Sequence, residues 1–235
     1  MTLPAGRQLA IDLPHRPAFG RADFLVSDCN AAALGWIERW PDWPERVLVL
    51  HGPPGCGKTH LAHLWRGRSG AAPVAGERLS GAAPDRLARA RAVAVDNAER
   101  APEAALLHLY NCCRETGASL LIIAAAAPAR WPIALPDLAS RLRAAPAVAI
   151  APPDDALLAA VLVKHFADRQ VRVPPGVIRY AVRRMERSFA AAAALAARLD
   201  CLALAAGRPI GLALARRALA EPAATPQPAS DFAAT

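Results

Sequence analysis

The sequence predicts an α/β fold, a parallel sheet flanked by helices, followed by a smaller all-helical domain. Two observations support this prediction. Short apolar runs alternate with helical segments over residues 27–151, which is typical of a parallel sheet with right-handed crossovers. The Pro152-Pro153 pair then interrupts the chain, and only helical segments follow it. A chain of 235 residues is long enough for one substantial core domain with a small companion.

The α/β domain is expected to contain five strands and four helices. The continuous apolar run Leu120–Ile123 indicates a sheet that is covered on both faces. A helix capped by residues 27–30 is expected to end at Arg39, before a Trp- and Pro-rich turn. The other expected strands are 46–51, 72–75, 93–95 and 148–150, and the other expected helices end at Arg68 or span 103–116 and 137–143.

The remaining segments differ in composition from this domain. Residues 152–221 are expected to form a helical lid domain, with helices at 154–169, 175–186, 189–206 and 209–220. Residues 222–235 are rich in Pro, Ala and Thr and contain one large apolar side chain, Phe232. Such a segment buries too little surface to order itself, so it is predicted to be disordered. Residues 1–26 precede the first helix and are expected to form an N-terminal arm.

A phosphate-binding loop is the clearest motif in the chain. It follows the apolar run Val47–Leu50 and matches the pattern G-x-x-x-x-G-K-S/T in full. Its residues are Gly52, Pro53, Pro54, Gly55, Cys56, Gly57, Lys58 and Thr59. In such a loop, backbone N–H groups and the following helix N-terminus surround the phosphates. Lys58 is expected to reach the β- and γ-phosphates, and the Thr59 hydroxyl to hold Mg²⁺. A chance match in a glycine-containing turn is disfavoured, because the strand before the loop and the helix after it are both present.

An acidic residue completes the predicted nucleotide site. Asp96 follows the apolar run 93–95 and is expected to lie beside the magnesium ion, through its water shell. The next residue in ATPases of this class is commonly an acid that polarises the attacking water, but here it is Asn97. An amide cannot accept a proton at neutral pH. Glu99 is a candidate substitute, although its position on the turn weakens that interpretation.

Two further segments carry a resemblance to a known family. Residues 135–142 read L-P-D-L-A-S-R-L, and residues 185–189 read M-E-R-S-F. Together with the phosphate loop and Asp96, they make residues 10–221 resemble the AAA+ ATPases, and within them the DnaA group of replication-initiation proteins. The resemblance implies that Arg141 is an arginine finger for a neighbour's γ-phosphate and that Arg187 is the sensor-2 arginine. A guanidinium suits both roles, since it spreads several donors over phosphate oxygens. Without the resemblance, a surface arginine and a neighbour of a helix cap would be the preferred interpretations.

The chain departs from the family pattern after the strand Leu120–Ile123. The family has a polar sensor-1 residue there, whereas this sequence has Ala124–Ala127. Together with Asn97, this difference predicts weak or no intrinsic ATP hydrolysis, as in a switch held by ADP or ATP. The resemblance also implies that the segment Phe24, Leu25 and Val26 contacts the adenine base.

The N-terminal arm contains a candidate partner motif. Residues 8–13 resemble the Q-L-x-L-x-L peptides that bind the DNA sliding clamp. In an extended peptide, Leu9, Ile11 and Leu13 lie on one side and can enter an apolar groove, while the Gln8 amide anchors the end. The alternative is an arm that packs on its own core.

Taken with the DnaA-like module, the arm motif implies a negative regulator of chromosomal replication initiation. On this interpretation the protein binds the sliding clamp, which is the β subunit of DNA polymerase III, and promotes hydrolysis of ATP bound to DnaA. A helicase loader of the DnaC or IstB kind is the main alternative. A DNA-binding ATPase that uses a basic lid is another.

Composition and charge bear on the binding partners and on the cellular compartment of the protein. The net charge is +8 and basic residues are densest in the C-terminal third, so DNA, an acidic protein or a merely solvated face are all compatible. The five cysteines and six histidines form no metal-binding spacing, which favours a reducing cytoplasm.

No apolar run approaches the ~18 residues of a membrane span. The sequence leaves no room for a helix-turn-helix domain after the lid, so sequence-specific DNA binding is not expected. The sequence does not decide whether the protein forms homo-oligomers.

Overall fold

The computed structural model describes residues 24–81 and 83–220, and the structural statements below refer to that part of the chain. The clamp-like motif with Gln8, Leu9, Ile11 and Leu13 lies outside the described residues. The predicted tail at 222–235 also lies outside them. The predictions for these two segments therefore stay predictions.

Five strands form one parallel sheet in the order β2-β3-β4-β1-β5. This confirms the predicted fold class. In the register of the central pair, His51 at the end of β1 lies opposite Ala124 at the end of β4. The carboxyl ends of these strands therefore meet at one edge of the sheet. The strands are β1 Val47–His51, β2 Ala72–Ala75, β3 Ala92–Asp96, β4 Ser119–Ala124 and β5 Ala147–Ala149.

Helices cover both faces of the sheet. Alternate side chains of β1 point to opposite faces, so each face of this strand packs against a different set of helices. Leu48 and Leu50 pack with α1 and α2 in one apolar cluster. Val47 and Val49 pack with α4 and α5 in a second cluster on the other face. The helices of this part of the chain are α1 Ala31–Glu38, α2 Lys58–Ser69, α3 Ala83–Leu87, α4 Glu103–Thr116 and α5 Pro136–Ala144.

The chain after Pro153 folds as four helices around an apolar core of their own. Leu158, Phe166, Ile178 and Leu195 are among the buried side chains of this core. It is distinct from the two clusters that cover the sheet. The four helices are α6 Asp155–Asp168, α7 Pro175–Val182, α8 Phe189–Ala206 and α9 Leu212–Ala220.

Three local predictions were wrong. Asn30 occupies the position before α1, but its side chain does not cap the helix. Instead it accepts the Ser27 N–H and donates to the Leu25 carbonyl oxygen, so it fixes the preceding loop. The helix α7 ends at Val182 rather than at residue 186, because residues 183–188 leave the helix and place Ser188 as the N-cap of α8. α9 begins at Leu212 rather than at 209.

The expectation that no apolar run reaches the length of a membrane span was also wrong. By length and composition alone, α8 is long and apolar enough to cross a membrane, with a mean hydropathy of 1.7 over 18 residues. This is weak support for a span, because the core helix of a globular domain passes the same test. Ala192, Leu195, Ala196 and Leu199 of α8 are buried in the helical core.

Candidate nucleotide-binding site

The phosphate loop lies at the carboxyl edge of the sheet, between the end of β1 and the start of α2. β1 lies between β4 and β5. The chain leaves β1 toward β2 at one edge of the sheet, whereas it leaves the neighbouring β4 toward β5 at the other edge. Ligands of open α/β sheets bind in the crevice at such a position. The Gly52 N–H donates to the carbonyl oxygen of Ala124, at a distance of 3.3 Å, which fastens the loop to the end of β4.

Two loop glycines are required where the helical domain packs against the loop. Gly55 has φ +69°, and a Cβ placed there would overlap the Cβ of Ser188. Gly57 has φ +102°, and its Cβ would lie 3.1 Å from the Phe189 ring. Side chains are disfavoured at both positions by backbone conformation and by space. Because glycines at these positions carry no side chain over the neighbouring backbone N–H groups, this cradle fits a phosphate group.

Lys58 lies over the loop. Its Nζ donates to the carbonyl oxygens of Gly52 and Pro53, at 2.6 Å and 2.8 Å. Thr59, in the first turn of α2, is exposed. Cys56 is buried, and burial raises the pKa of its thiol. This thiol therefore stays protonated at neutral pH and is a poor nucleophile.

Asp96 ends β3 at the same edge of the sheet. Its Oδ1 accepts the N–H of Asn97 at 2.9 Å. Burial raises the pKa of this carboxyl above its ordinary value, while the Asn97 N–H and the positive charge of Lys58 lower it. The positive charge of Lys58 therefore reaches Asp96, so the two side chains lie at the same edge of the sheet. A half-buried carboxylate and the Thr59 hydroxyl are hard oxygen donors, which suit Mg²⁺.

A second carboxylate, that of Glu99, also reaches this region. Its Oε1 accepts the N–H of Ala125, which follows β4, at 3.2 Å. Its Oε2 is buried and has no hydrogen-bond partner among residues 24–81 and 83–220, and the charge of Glu99 raises the pKa of Asp96. The short helical turn Ala98–Arg100 therefore places an acidic group at the end of β4. The sensor-1 residue was expected at this strand end, where the sequence has alanines.

Sequence reasoning missed two groups near the end of β1. His51 is the last residue of β1, and burial lowers the pKa of its imidazole. The positive charges of Arg130 and Lys58 lower this pKa further, so His51 is neutral at pH 7. Arg130 therefore adds a cation at this edge of the sheet. No spacing signal relates Arg130 to the phosphate loop, because 71 residues and three strands separate it from Thr59 in the chain.

The helical domain closes over the loop through the start of α8. The Phe189 N–H donates to the Gly55 carbonyl oxygen at 2.9 Å. Arg187, the predicted sensor-2 residue, is two positions before Phe189 and therefore lies next to the loop. Its Nη2 forms an ion pair with Asp155 Oδ1 at 2.7 Å, and both side chains are more than half exposed.

The predicted adenine-contacting segment lies beside the first turn of α2. The Phe24 ring is buried and meets the His60 ring edge-on, with 5.1 Å between centroids. Leu25 is half-buried and Val26 is exposed. The segment is therefore near the phosphate loop, and its contact with a base stays a prediction.

Arg141 lies at a different place. It extends from α5 over the Tyr110 ring of α4, with 5.7 Å from Cζ to the ring centroid, and its side chain is 21% exposed. Its Nη2 is 3.8 Å from Asp137 Oδ2. The Tyr110 hydroxyl donates to Glu45 Oε2, which precedes β1. Since the phosphate loop follows β1, the two places are separated by the length of that strand, roughly 16 Å.

The sheet, the loop and the helical domain together define the AAA+ P-loop NTPase fold. The chain resembles the crystal structure of domain III of DnaA from Thermotoga maritima, with a TM-score of 0.75 and 16% identity over 88% of this chain and 98% of that one. It also resembles RuvB of Thermotoga maritima, a Holliday junction branch migration motor, with a TM-score of 0.63 and 16% identity over 74% of this chain and 60% of that one. These likenesses establish the fold.

In sequence, the chain is similar to the chromosomal replication initiator protein DnaA of Thermomicrobium roseum. The two are 27% identical over 237 residues, which cover 87% of this chain and 50% of the relative. The chain thus spans about half the length of this curated relative. A structure of DnaA bound to AMPPCP and single-stranded DNA matches with a TM-score of 0.67 and 13% identity over 79% of this chain and 65% of that one. No family profile matches the chain.

The raised pKa of Asp96 predicts that its charge destabilises the protein without nucleotide and Mg²⁺. Between the ordinary and the raised pKa, the folded protein binds more protons than the unfolded chain, so the free energy of unfolding falls as pH rises. We expect Asp96→Asn to be more stable than wild type at neutral pH, measured by urea denaturation. The difference should shrink as pH approaches the ordinary carboxyl pKa of 3.8.

Asp42→Asn is the matched control, because Asp42 is exposed and its replacement is expected to change stability by less than about 0.5 kcal/mol. Equal stability of wild type and Asp96→Asn at neutral pH would show that the Asp96 charge is well solvated.

Proposed function

We propose that this protein binds ADP or ATP with Mg²⁺ at the phosphate loop. The observation that carries the proposal is the convergence of the glycine cradle, Lys58 and Asp96 at one edge of the sheet. Lys58 would contact the β- and γ-phosphates, and Thr59 and Asp96 would hold the metal ion, which supplies positive charge against the phosphates. Arg187, next to the loop, would contact the nucleotide from the lid after leaving Asp155. Such an exposed ion pair contributes only about 0–1 kcal/mol, so its release costs little.

Replacing Lys58 tests nucleotide binding. Charged hydrogen bonds contribute about 1.5–3 kcal/mol, so we expect Lys58→Ala to weaken ADP and ATP binding by about 10- to 100-fold. A titration with a fluorescent ADP analogue in the presence of Mg²⁺ measures the dissociation constant.

The chain offers a matched control in Lys164, its other lysine. Lys164 forms an ion pair with Asp168 on α6, and Lys164→Ala should bind nucleotide as wild type does. If Lys58→Ala keeps full affinity, the loop does not bind phosphate in the proposed way.

We further propose that the protein regulates DnaA in the manner of Hda, the regulatory inactivator of DnaA. The similarity to DnaA, the clamp-like arm, and the presence of Asn97 and Ala124 in the described site support this role. Asn97 and Ala124 occupy positions where a hydrolytic site would need polar or acidic groups, so intrinsic hydrolysis would be slow. In the cytoplasm, the protein would dock on the DNA-loaded clamp and provide Arg141 to ATP bound by DnaA.

The surroundings of Arg141 determine whether it can act in trans. It is mostly covered by its own subunit, so it must leave Tyr110 and Asp137 to reach a neighbour. The cation–π contact contributes about 0.5–1 kcal/mol, and the long ion pair with exposed Asp137 contributes about 1 kcal/mol or less. An arginine finger supplied in trans accelerates hydrolysis by ~10³–10⁵, which corresponds to about 4–7 kcal/mol. The gain exceeds the cost of releasing the side chain.

Arg141→Ala is expected to reduce stimulated hydrolysis of DnaA-bound ATP by at least about 100-fold, since the charge on the transferred phosphoryl group is no longer neutralised. Release of phosphate from preloaded DnaA, with the clamp on DNA, measures the effect. Nucleotide binding and clamp binding should not change.

Arg143→Ala is the control, because Arg143 is on the same helix but exposed, and its Nε donates to the Ala139 carbonyl oxygen of its own helix. Undiminished stimulation by Arg141→Ala would exclude Arg141 as the finger. Equal losses for both variants would indicate a general effect of charge on α5.

The arm motif is tested by the double substitution of Leu9 and Ile11 with Ala. Burial of each aliphatic side chain contributes about 1.5–3 kcal/mol, so clamp affinity should fall at least about 100-fold. Surface plasmon resonance with purified sliding clamp measures this, and Leu3→Ala, in the same arm but outside the motif, should bind normally. Wild-type binding to replicative helicase instead of the clamp would favour the helicase-loader alternative.

A further inference from the structure

Three potential metal ligands meet on the outer side of α3 and α4, away from the phosphate loop. They are Asp85 of α3 and His108 and Cys112 of α4. His108 and Cys112 are four residues apart, so they lie one above the other on the same helix face. Within the described residues this is the one group of three or more such side chains whose ligand atoms converge.

The three ligand atoms form a compact triangle. His108 Nε2 is 3.0 Å from Asp85 Oδ1, and Cys112 Sγ is 3.7 Å from each of these atoms. A tetrahedral zinc ion with usual bond lengths separates its nitrogen and oxygen ligands by about 3.3 Å, and its sulfur from either by about 3.6 Å. The observed edges agree with these values to within about 0.3 Å, so a small adjustment of rotamers brings all three atoms onto one ion.

We propose that Asp85, His108 and Cys112 form a zinc site. A carboxylate and a thiolate together neutralise a divalent cation, and the imidazole is a neutral third ligand. Mixed nitrogen and sulfur donors select Zn²⁺ over Mg²⁺ and Ca²⁺, which prefer oxygen alone. Asp85 and His108 are each about half exposed, with side chains at 56% and 50%, so the ion has an entry path and water takes the fourth position.

The site would add a metal link between two helices that already pack against each other. α3 has five residues and ends shortly before β3, the strand that carries Asp96, while α4 begins soon after β3. Besides apolar packing and the Asp85–His108 contact, the Thr116 hydroxyl of α4 donates to the carbonyl oxygen of Ala88, the residue after α3, at 3.1 Å. A metal bound by both helices would fix their relative position. Its role is structural, because none of its ligands lies at the phosphate loop.

Binding of Co²⁺ and Zn²⁺ to the full chain tests the proposal. Reduced, metal-free protein should take up one Co²⁺ in the presence of excess Mg²⁺, with a thiolate-to-cobalt charge-transfer band that Zn²⁺ displaces. Zn²⁺ should raise the melting temperature of wild type, since a ligand that binds only the folded state stabilises it. Loss of groups that merely orient metal ligands costs about 10- to 100-fold in affinity, so Asp85→Asn, His108→Gln and Cys112→Ser should each weaken binding at least tenfold.

Cys201→Ser is the matched control, because Cys201 is an exposed thiol on α8 in the helical domain. It should keep the band and the thermal shift, whereas Cys112→Ser should lose both. Metal-free melting temperatures of all variants show whether they fold. The proposal is overturned if wild type gives no thiolate band, if the band survives in Cys112→Ser, or if it disappears in Cys201→Ser.

Discussion

The geometry of the candidate site depends on the packing of the helical domain against the phosphate loop. The Phe189 N–H bonds to the Gly55 carbonyl oxygen, and the side chains of Ser188 and Phe189 occupy the space that side chains at positions 55 and 57 would fill. The glycines therefore serve two purposes, since they expose the loop N–H groups and admit the lid. The loop is also held by its hydrogen bond to β4, by Lys58, and by the Cys56 side chain, which is buried in the apolar cluster with α1 and α2.

The electrostatics of the site oppose the stability of the protein. Burial raises the pKa of Asp96, and the negative charge of the nearby Glu99 raises it further. Lys58 offsets this only in part, as the raised pKa of Asp96 shows. A divalent cation would relieve the repulsion between the carboxylates, and phosphate groups would compensate Lys58 and Arg130. The groups that make the site costly to fold are thus those that favour a magnesium nucleotide.

The sequence predicted the features that have a local cause. Each of the five strands was predicted, because buried parallel strands are continuous apolar runs. The phosphate loop was predicted from its sequence motif. Features that depend on tertiary contacts were missed. α3 is too short for a helical period, the Asn30 side chain bonds backward into a loop, and Arg130 reaches β1 only through the fold. The Asp85, His108 and Cys112 cluster was missed for the same reason, because 23 residues and the strand β3 separate Asp85 from His108.

The lid contact also links the loop to distant parts of the helical domain. α8 begins at the loop with Phe189 and runs for 18 residues, about 27 Å at 1.5 Å per residue. Ala192, Leu195 and Leu199 fix this helix in the core formed with α6, α7 and α9. Because packed interiors are dense and transmit strain, the loop contact at Phe189 and the packing of the helical core constrain the same helix. The far end of α8, with exposed Leu204, is therefore joined to the phosphate loop by one continuous helix, although it lies outside the candidate nucleotide site.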